Sequence, residues 1–330
     1  MITLATAEKA LKEVYLDVVS DQLNTTVNPL LARLEKTARD VYGNNINKLV
    51  PYGLSGGIGA GSEDGDLPKA MGNKYARFTA SLKNLYGTIE ITDKAIRASS
   101  NNEGAFVNLL TAEMEGLLKA SRINLGRMLY GDGSGKLADI ASNTENTLIV
   151  LDAQYLTPGM IVDIYSDAVC SASGRQILSV TEKSDGTFSV TIDGTTLSTL
   201  TGTSIGIYLQ NSYQNEITGL GAIFSSTGFL YGISKSSNSW LIPYSSDIDG
   251  SLSESDILTA LDELEIRGSA PNLIICSMGV RRALINILNT NKRYYDTLNL
   301  EGGFKAISYN GIPVIADRFC PSGCMYTVSY

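Results

Sequence analysis

Apolar residues recur along this chain at helical spacing in some stretches and at strand spacing in many more. Between residues 6 and 23, Ala7, Leu11, Val14, Tyr15, Val18 and Val19 repeat at i, i+3/i+4. Thr6 stands at the N-cap position, and Glu8, Lys9, Lys12, Glu13, Asp17 and Asp21 fill the opposite face. Asn28-Pro29 restarts the chain into a second short helix near 29–39. So short a segment cannot build its own core, so it is either a pair of packed helices or an arm lying on a neighbouring subunit.

The period then changes. Residues 46–54 are strand-like, and residues 75–82 alternate, with Ala76, Phe78, Ala80 and Leu82 on one face and Tyr75, Arg77, Thr79 and Ser81 on the other. Between them lies SGGIGAGSEDGD, residues 55–66, rich in glycine and acid. Residues 86–91 continue strand-like. The pattern predicts a long β-hairpin with a large tip, which needs a partner surface to be stable.

A helix follows over about 103–130. Ser100-x-x-Glu103 has capping-box spacing, and Phe106, Leu110, Met114, Leu117, Leu118, Leu125 and Met128 form one stripe. At 1.5 Å per residue it is on the order of 40 Å long, a structural spine. Gly131-Asp132-Gly133-Ser134-Gly135 ends it.

Residues 146–212 carry only short strand signals, at 148–151, 160–165, 176–181, 188–192 and 205–209, some separated by the turn pairs Asp185-Gly186 and Asp193-Gly194. They predict a small all-β insert. From about 215 the pattern is mixed. Ser253 caps a helix through Ile257, Leu258, Leu261 and Leu264, residues 273–276 form a buried strand, Ser277 caps a helix over 278–288, and residues 311–316 form another strand.

Composition narrows the chemistry. The 330 residues include no histidine, which removes the usual neutral-pH base and the usual metal ligand. Lys plus Arg is 26 against 34 Asp plus Glu, a net charge of −8, which disfavours a dedicated nucleic-acid binder. Cys170, Cys276, Cys320 and Cys324 are too few for a disulfide framework, and the close pair 320/324 is a poor zinc site without two further ligands. Neither a signal peptide nor a run of about 18 apolar residues is visible, so no membrane is expected.

Three segments invite an enzymatic reading and fail it. Gly56-Gly57-Ile58-Gly59-Ala60-Gly61 is followed by SEDGDLP rather than by a helix, so it reads as a loop tip, not a dinucleotide site. Gly131 to Lys136 follows a helix instead of bridging strand and helix, so it is a helix stop. The acidic run Asp247, Asp249, Glu254, Asp256, Asp262, Glu263 and Glu265 lacks calcium-loop spacing and reads as a solvated helix face. Ser277 has no histidine to activate it. Arg281-Arg282 and Lys292-Arg293 are explained by helix-end or inter-subunit contacts. No catalytic, cofactor or metal residues are expected.

Two long stretches resemble a known family. NPLLARLEKTARDVYGNNINKLVPYGLSGGIGAGSEDGDLPKA, NKYARFTASLKNLYGTIEITDKAIRAS and NLLTAEMEGLLKASRINLGRMLYGDGSGKL form the first, and LIICSMGVRRALINIL with KRYYDTLNLEGGFKAISYNGIPVIADRF the second; together they span a little under half of the chain. They resemble the HK97-fold major capsid proteins of tailed bacteriophages and prophages of Gram-positive hosts.

The resemblance implies an α+β fold: an N-arm at 1–43, an E-loop at 44–92, a P-domain with spine helix at 93–145, a β-rich insertion at 146–212 and an A-domain at 213–330 returning toward the P-domain. It implies self-assembly into pentamers and hexamers of an icosahedral head enclosing double-stranded DNA without sequence-specific binding, in the virion, and in the host cytoplasm during assembly. A separate scaffolding protein, a portal and decoration proteins are the implied partners, since the chain begins directly with the arm. Lys69 and Lys74 lie near the tip, but partners for a covalent cross-link are not matched. Little chain remains for the return to the P-domain, so this version is short or the sequence truncated. Inter-subunit contacts are expected from arm residues Leu11, Tyr15 and Val18 and from loop residues Gly56, Gly57, Gly59, Gly61, Glu63, Asp64 and Asp66. The alternatives are an encapsulin-like compartment shell and an α/β enzyme of unknown type.

Overall fold

The computed structural model describes residues 28–34, 41–54, 56–90, 103–290, 297–299 and 305–329. The arm helix over 6–23, with Leu11, Tyr15 and Val18, lies outside the described residues, as do Ser100 of the expected capping box and the Lys292-Arg293 pair. Residues 29–34 form turns instead of the start of a helix. Asn28 Oδ1 accepts from Leu30 N at 2.9 Å and Leu31 N at 3.2 Å, an N-cap arrangement on these turns.

Strands β1 (Val41–Tyr42), β2 (Asn45–Tyr52) and β3 (Lys74–Ser81) form a three-stranded antiparallel sheet. Residues 82–90 are irregular, so the strand expected at 86–91 is absent over its described part. Helix α1 (Glu103–Met128) is the long helix the stripe predicted. Its last turn approaches the body closely: a Cβ on Gly126 would overlap the Phe319 ring, which makes glycine the residue that fits.

The segment after α1 closes on itself. Strands β4 (Lys136–Thr144), β5 (Thr147–Val150), β6 (Ile161–Ser166), β7 (Val169–Glu182), β8 (Phe188–Ile192) and β9 (Ile205–Leu209) form a closed barrel in the order β4-β5-β8-β7-β6-β9. Every neighbouring pair is antiparallel. Alternation drives closure: Leu148 and Val150, Val162 and Ile164, Val190 and Ile192, and Ile207 point inward and form one core with Leu137, Ile140 and Ile177. Asp163, between two inward residues and itself buried, accepts from Ser173 Oγ, Gly174 N and Asn211 N at 2.8–2.9 Å. Those bonds tie β6 to the start of β7 and to the segment leaving β9.

Beyond the barrel come α2 (Leu220–Phe224), the short pair β10 (Phe229–Leu230) and β11 (Ile233–Ser234), a 3-10 turn at Ser239–Leu241, α3 (Glu254–Ile266), β12 (Leu273–Cys276), α4 (Met278–Thr290), β13 (Thr297–Asn299), β14 (Lys305–Tyr309), β15 (Ile312–Ala316) and β16 (Met325–Val328). The last five strands form a sheet in the order β13-β14-β15-β12-β16, with β12 and β15 parallel. All four residues of β12 are buried, which is why it reads as an unbroken apolar run. Leu273 and Ile275 face the end of α1, packing with Leu129, Tyr130 and Phe319. Ile274 and Cys276 face Ile257 and Leu261 of α3 and Leu284 and Leu288 of α4.

Two features join the barrel's neighbourhood to the body. Arg127 makes a bidentate ion pair with Glu216, both side chains at 4% exposure or less. Gln154 Nε2 donates to the carbonyls of Arg318 and Cys320 at 2.9 and 3.0 Å, and Tyr155 Oη donates to that of Phe319 at 2.7 Å.

The described residues are mostly β, with four α-helices and a closed six-stranded antiparallel barrel. This overturns the α+β, HK97-like fold expected from the resemblance. The non-local pairing of β4 with β9 turns scattered strand signals into a barrel with its own core.

Candidate interaction surface

The hairpin of β2 and β3 pairs along its full length, from Asn45↔Ser81 to Tyr52↔Lys74. Its two faces differ. Ile46, Val50, Tyr52, Ala76, Phe78 and Ala80 are half-buried on the inner face, the alternation read from residues 75–82. Leu49, Tyr75 and Arg77 are exposed on the outer one.

The inner face meets the body through aromatic rings. Trp240 stacks on Tyr52 with centroids 4.6 Å apart and planes at 10°, and lies 6.3 Å from Phe78 at 5°. Phe78 also contacts Tyr231 at 5.7 Å, and Thr79 N donates to the Tyr231 carbonyl at 2.9 Å. Lys83 Nζ donates to the Gln214 carbonyl at 3.0 Å. The sequence analysis missed Trp240 and Tyr231; the chain's single tryptophan, in an otherwise polar loop, is the signal that pointed to them.

Past β2 the chain runs out into a loop, residues 53–73, that forms no strand among its described residues. Its two limbs lie side by side: a Cβ on Gly59 would sit 3.1 Å from Pro68, and one on Gly56 3.3 Å from Met71. The tip turns where Gly65 N donates to the Ser62 carbonyl at 3.0 Å. The expected contact residues Gly56, Gly57, Gly59, Gly61, Glu63, Asp64 and Asp66 all lie exposed on this loop. The larger side chains there were not singled out. Leu54 is 95% exposed, and Ile58 and Leu67 are each 90% exposed. All three lie on the same exposed loop.

The other candidate segments resolve into structural roles. Asp256 completes a capping box with Ser253, whose bonds hold its carboxyl below the usual range. Glu263 reaches Arg267 at 3.9 Å, and among the described residues no group of three His, Cys, Asp or Glu side chains is placed to hold a metal. Ser277 Oγ accepts from Val280 N at 3.4 Å, as a cap. Gly131 to Gly135 turns the chain out of α1, with Ser134 N donating to Asp132 Oδ1 at 2.9 Å.

The strongly perturbed groups are buried struts. Tyr130 Oη donates to Asp317 Oδ2 at 2.7 Å, and Phe319 N donates to Asp317 Oδ1 at 2.9 Å, joining the end of α1 to the end of β15. Burial raises the Asp317 carboxyl and pushes the Cys276 thiol up to about 11. A cleft of about 520 Å³ lies at the hairpin base, lined by residues including Thr79, Lys83, Asp132 and Gln214.

No protein-family model, curated protein or solved structure matches the chain.

Proposed function

We propose that this chain is a self-assembling structural subunit, the major capsid protein of a bacteriophage or prophage head, and not an enzyme. The observation that carries this reading is the projecting 53–73 loop, with Leu54, Ile58 and Leu67 almost fully in water. A monomer gains nothing from such an element, whereas a neighbouring copy covers it and recovers the apolar burial. The sequence resemblance of residues 28–99, 108–137 and 273–319 to phage capsid proteins supplies the kind of assembly: pentamers and hexamers closing around double-stranded DNA, built with scaffolding, portal and decoration proteins. Contacts that are individually weak give a stable shell when each subunit makes several of them. The net charge of −8 suits a container that does not grip its nucleic acid.

Deleting residues 55–66 tests the reading. The variant should remain a folded subunit with an unchanged melting transition and form no particles by negative-stain microscopy. Normal particles from the deletion would overturn it.

A further inference from the structure

Lys235 is an unusual residue to find where it is. Its side chain has no exposed surface, and among the described residues it has no carboxylate partner. A buried ammonium is costly unless every donor is satisfied. Here the three donors are matched by three carbonyls: Nζ donates to Ala222 O and Ile223 O at 2.8 Å each, and to Ser225 O. These belong to the last turn of α2 and its C-cap, where carbonyls lack helical partners and carry partial negative charge.

The bonds continue from Lys235 toward the hairpin. Lys235 N donates to the Gly228 carbonyl at 3.0 Å, closing the loop that carries β10 and β11 and, between them, Tyr231. The Lys235 carbonyl accepts from Asn238 N at 3.1 Å. Asn238 Nδ2 donates to the Ser234 carbonyl at 2.9 Å, and its Oδ1 accepts from Trp240 Nε1 at 3.3 Å. Trp240 and Tyr231 are the residues whose rings touch Tyr52 and Phe78.

We propose that Lys235 is a positioning residue for the hairpin: its ammonium pins the 228–240 segment onto α2, and that segment, through Asn238, holds Trp240 and Tyr231 where they set the direction in which the 53–73 loop projects. The pin is specific in kind. An apolar side chain fills the same space but leaves three carbonyls without a donor, so the segment must move to rehydrate them. The consequence for assembly rests on the proposed role of the loop, but the pin itself is a property of the single subunit.

The test uses the dissociated full-length chain with Lys235→Met and Asn238→Ala. Trp240 is the only tryptophan, so its emission reports this segment alone. Hydrogen exchange at the Thr79 amide reports the hairpin's attachment, because that amide bonds to Tyr231. Both variants should shift Trp240 emission to the red and raise Thr79 exchange at least tenfold, with barrel amides such as Val190 unchanged. Wild-type emission and exchange in a folded Lys235→Met would overturn the pin. If that variant does not fold, wild-type behaviour in Asn238→Ala overturns it equally. Particle formation is scored separately with the 55–66 deletion, so loss of the pin and loss of the assembly role are told apart.

Discussion

The loop's three most exposed apolar side chains allow a perturbation that separates folding from assembly. Leu54, Ile58 and Leu67 are 95%, 90% and 90% exposed, so replacing all three by serine removes almost no packing from the free subunit. Each change should alter subunit stability by less than about 0.5 kcal/mol. In an assembled contact the same side chains are each worth about 1.5–3 kcal/mol when fully covered, or roughly 5–9 kcal/mol together. At about 1.4 kcal/mol per tenfold, this weakens one subunit contact by roughly three to six orders of magnitude, and by about half as many orders if only half of each side chain is covered. Urea denaturation of dissociated subunits should therefore superimpose for wild type and triple variant, while sedimentation velocity shows particles for the first and only slow species for the second. Wild-type particle yield from the triple variant would refute the reasoning. A clearly lower urea midpoint would refute it from the other side, because it would mean that the loop packs within its own subunit.

Three further outcomes follow from the buried ion pair and the cysteines. Removing one member of the Arg127–Glu216 pair, as in Glu216→Leu, should cost about 3–5 kcal/mol in chemical denaturation, while Arg127→Met/Glu216→Leu costs much less than the sum of the singles. Exposed Cys170 should react with a thiol reagent in the native protein, whereas Cys276 and Cys320 should react only on unfolding. The Cys276 thiol is raised from 9.0 to about 11 in the fold, so the folded state holds that proton more tightly. Its contribution to stability is complete below about pH 9 and is lost as pH rises from there toward about 11, which denaturation across that range should show as a falling midpoint.

Local patterns carried much of the fold. Strands β8, β9 and β12 begin and end where the apolar runs do, because each is short and bounded by turn residues or a helix cap. Ser253 was readable as a cap because serine before an apolar period has one common use. What stayed hidden was non-local. Strand β4 follows the glycine-rich stop of α1 and reads as loop until its pairing with β9 is known. The register of β7 is masked by Cys170-Ser-Ala-Ser-Gly174, a polar half-strand whose bulges sit against β6. The same division holds at the candidate surface. The glycine and acid content of residues 55–66 announced an exposed tip, but the exposed apolar side chains Leu54, Ile58 and Leu67 in and beside it do not stand out from the sequence pattern. Trp240 meets Tyr52 from far along the chain, and Lys235 meets carbonyls at the end of α2 through a turn whose path the apolar pattern does not give.

The chain enters the barrel on β4 and leaves it on β9, and these two strands are direct neighbours, with Lys136 opposite Tyr208. Gln214 N then bonds to the Ser134 carbonyl at 2.8 Å. Holding the ends of so long a segment together as open coil would cost roughly 2–3 kcal/mol more in closure entropy than a tight turn. A folded barrel removes that cost, so to the rest of the molecule it behaves as a short connection. Contacts between α1 and the sheet that follows then have a far lower effective sequence separation than their numbering implies, which favours rapid formation of the body once the barrel exists. The barrel's outer turns, such as residues 183–187, are free to lengthen or change without disturbing that closure.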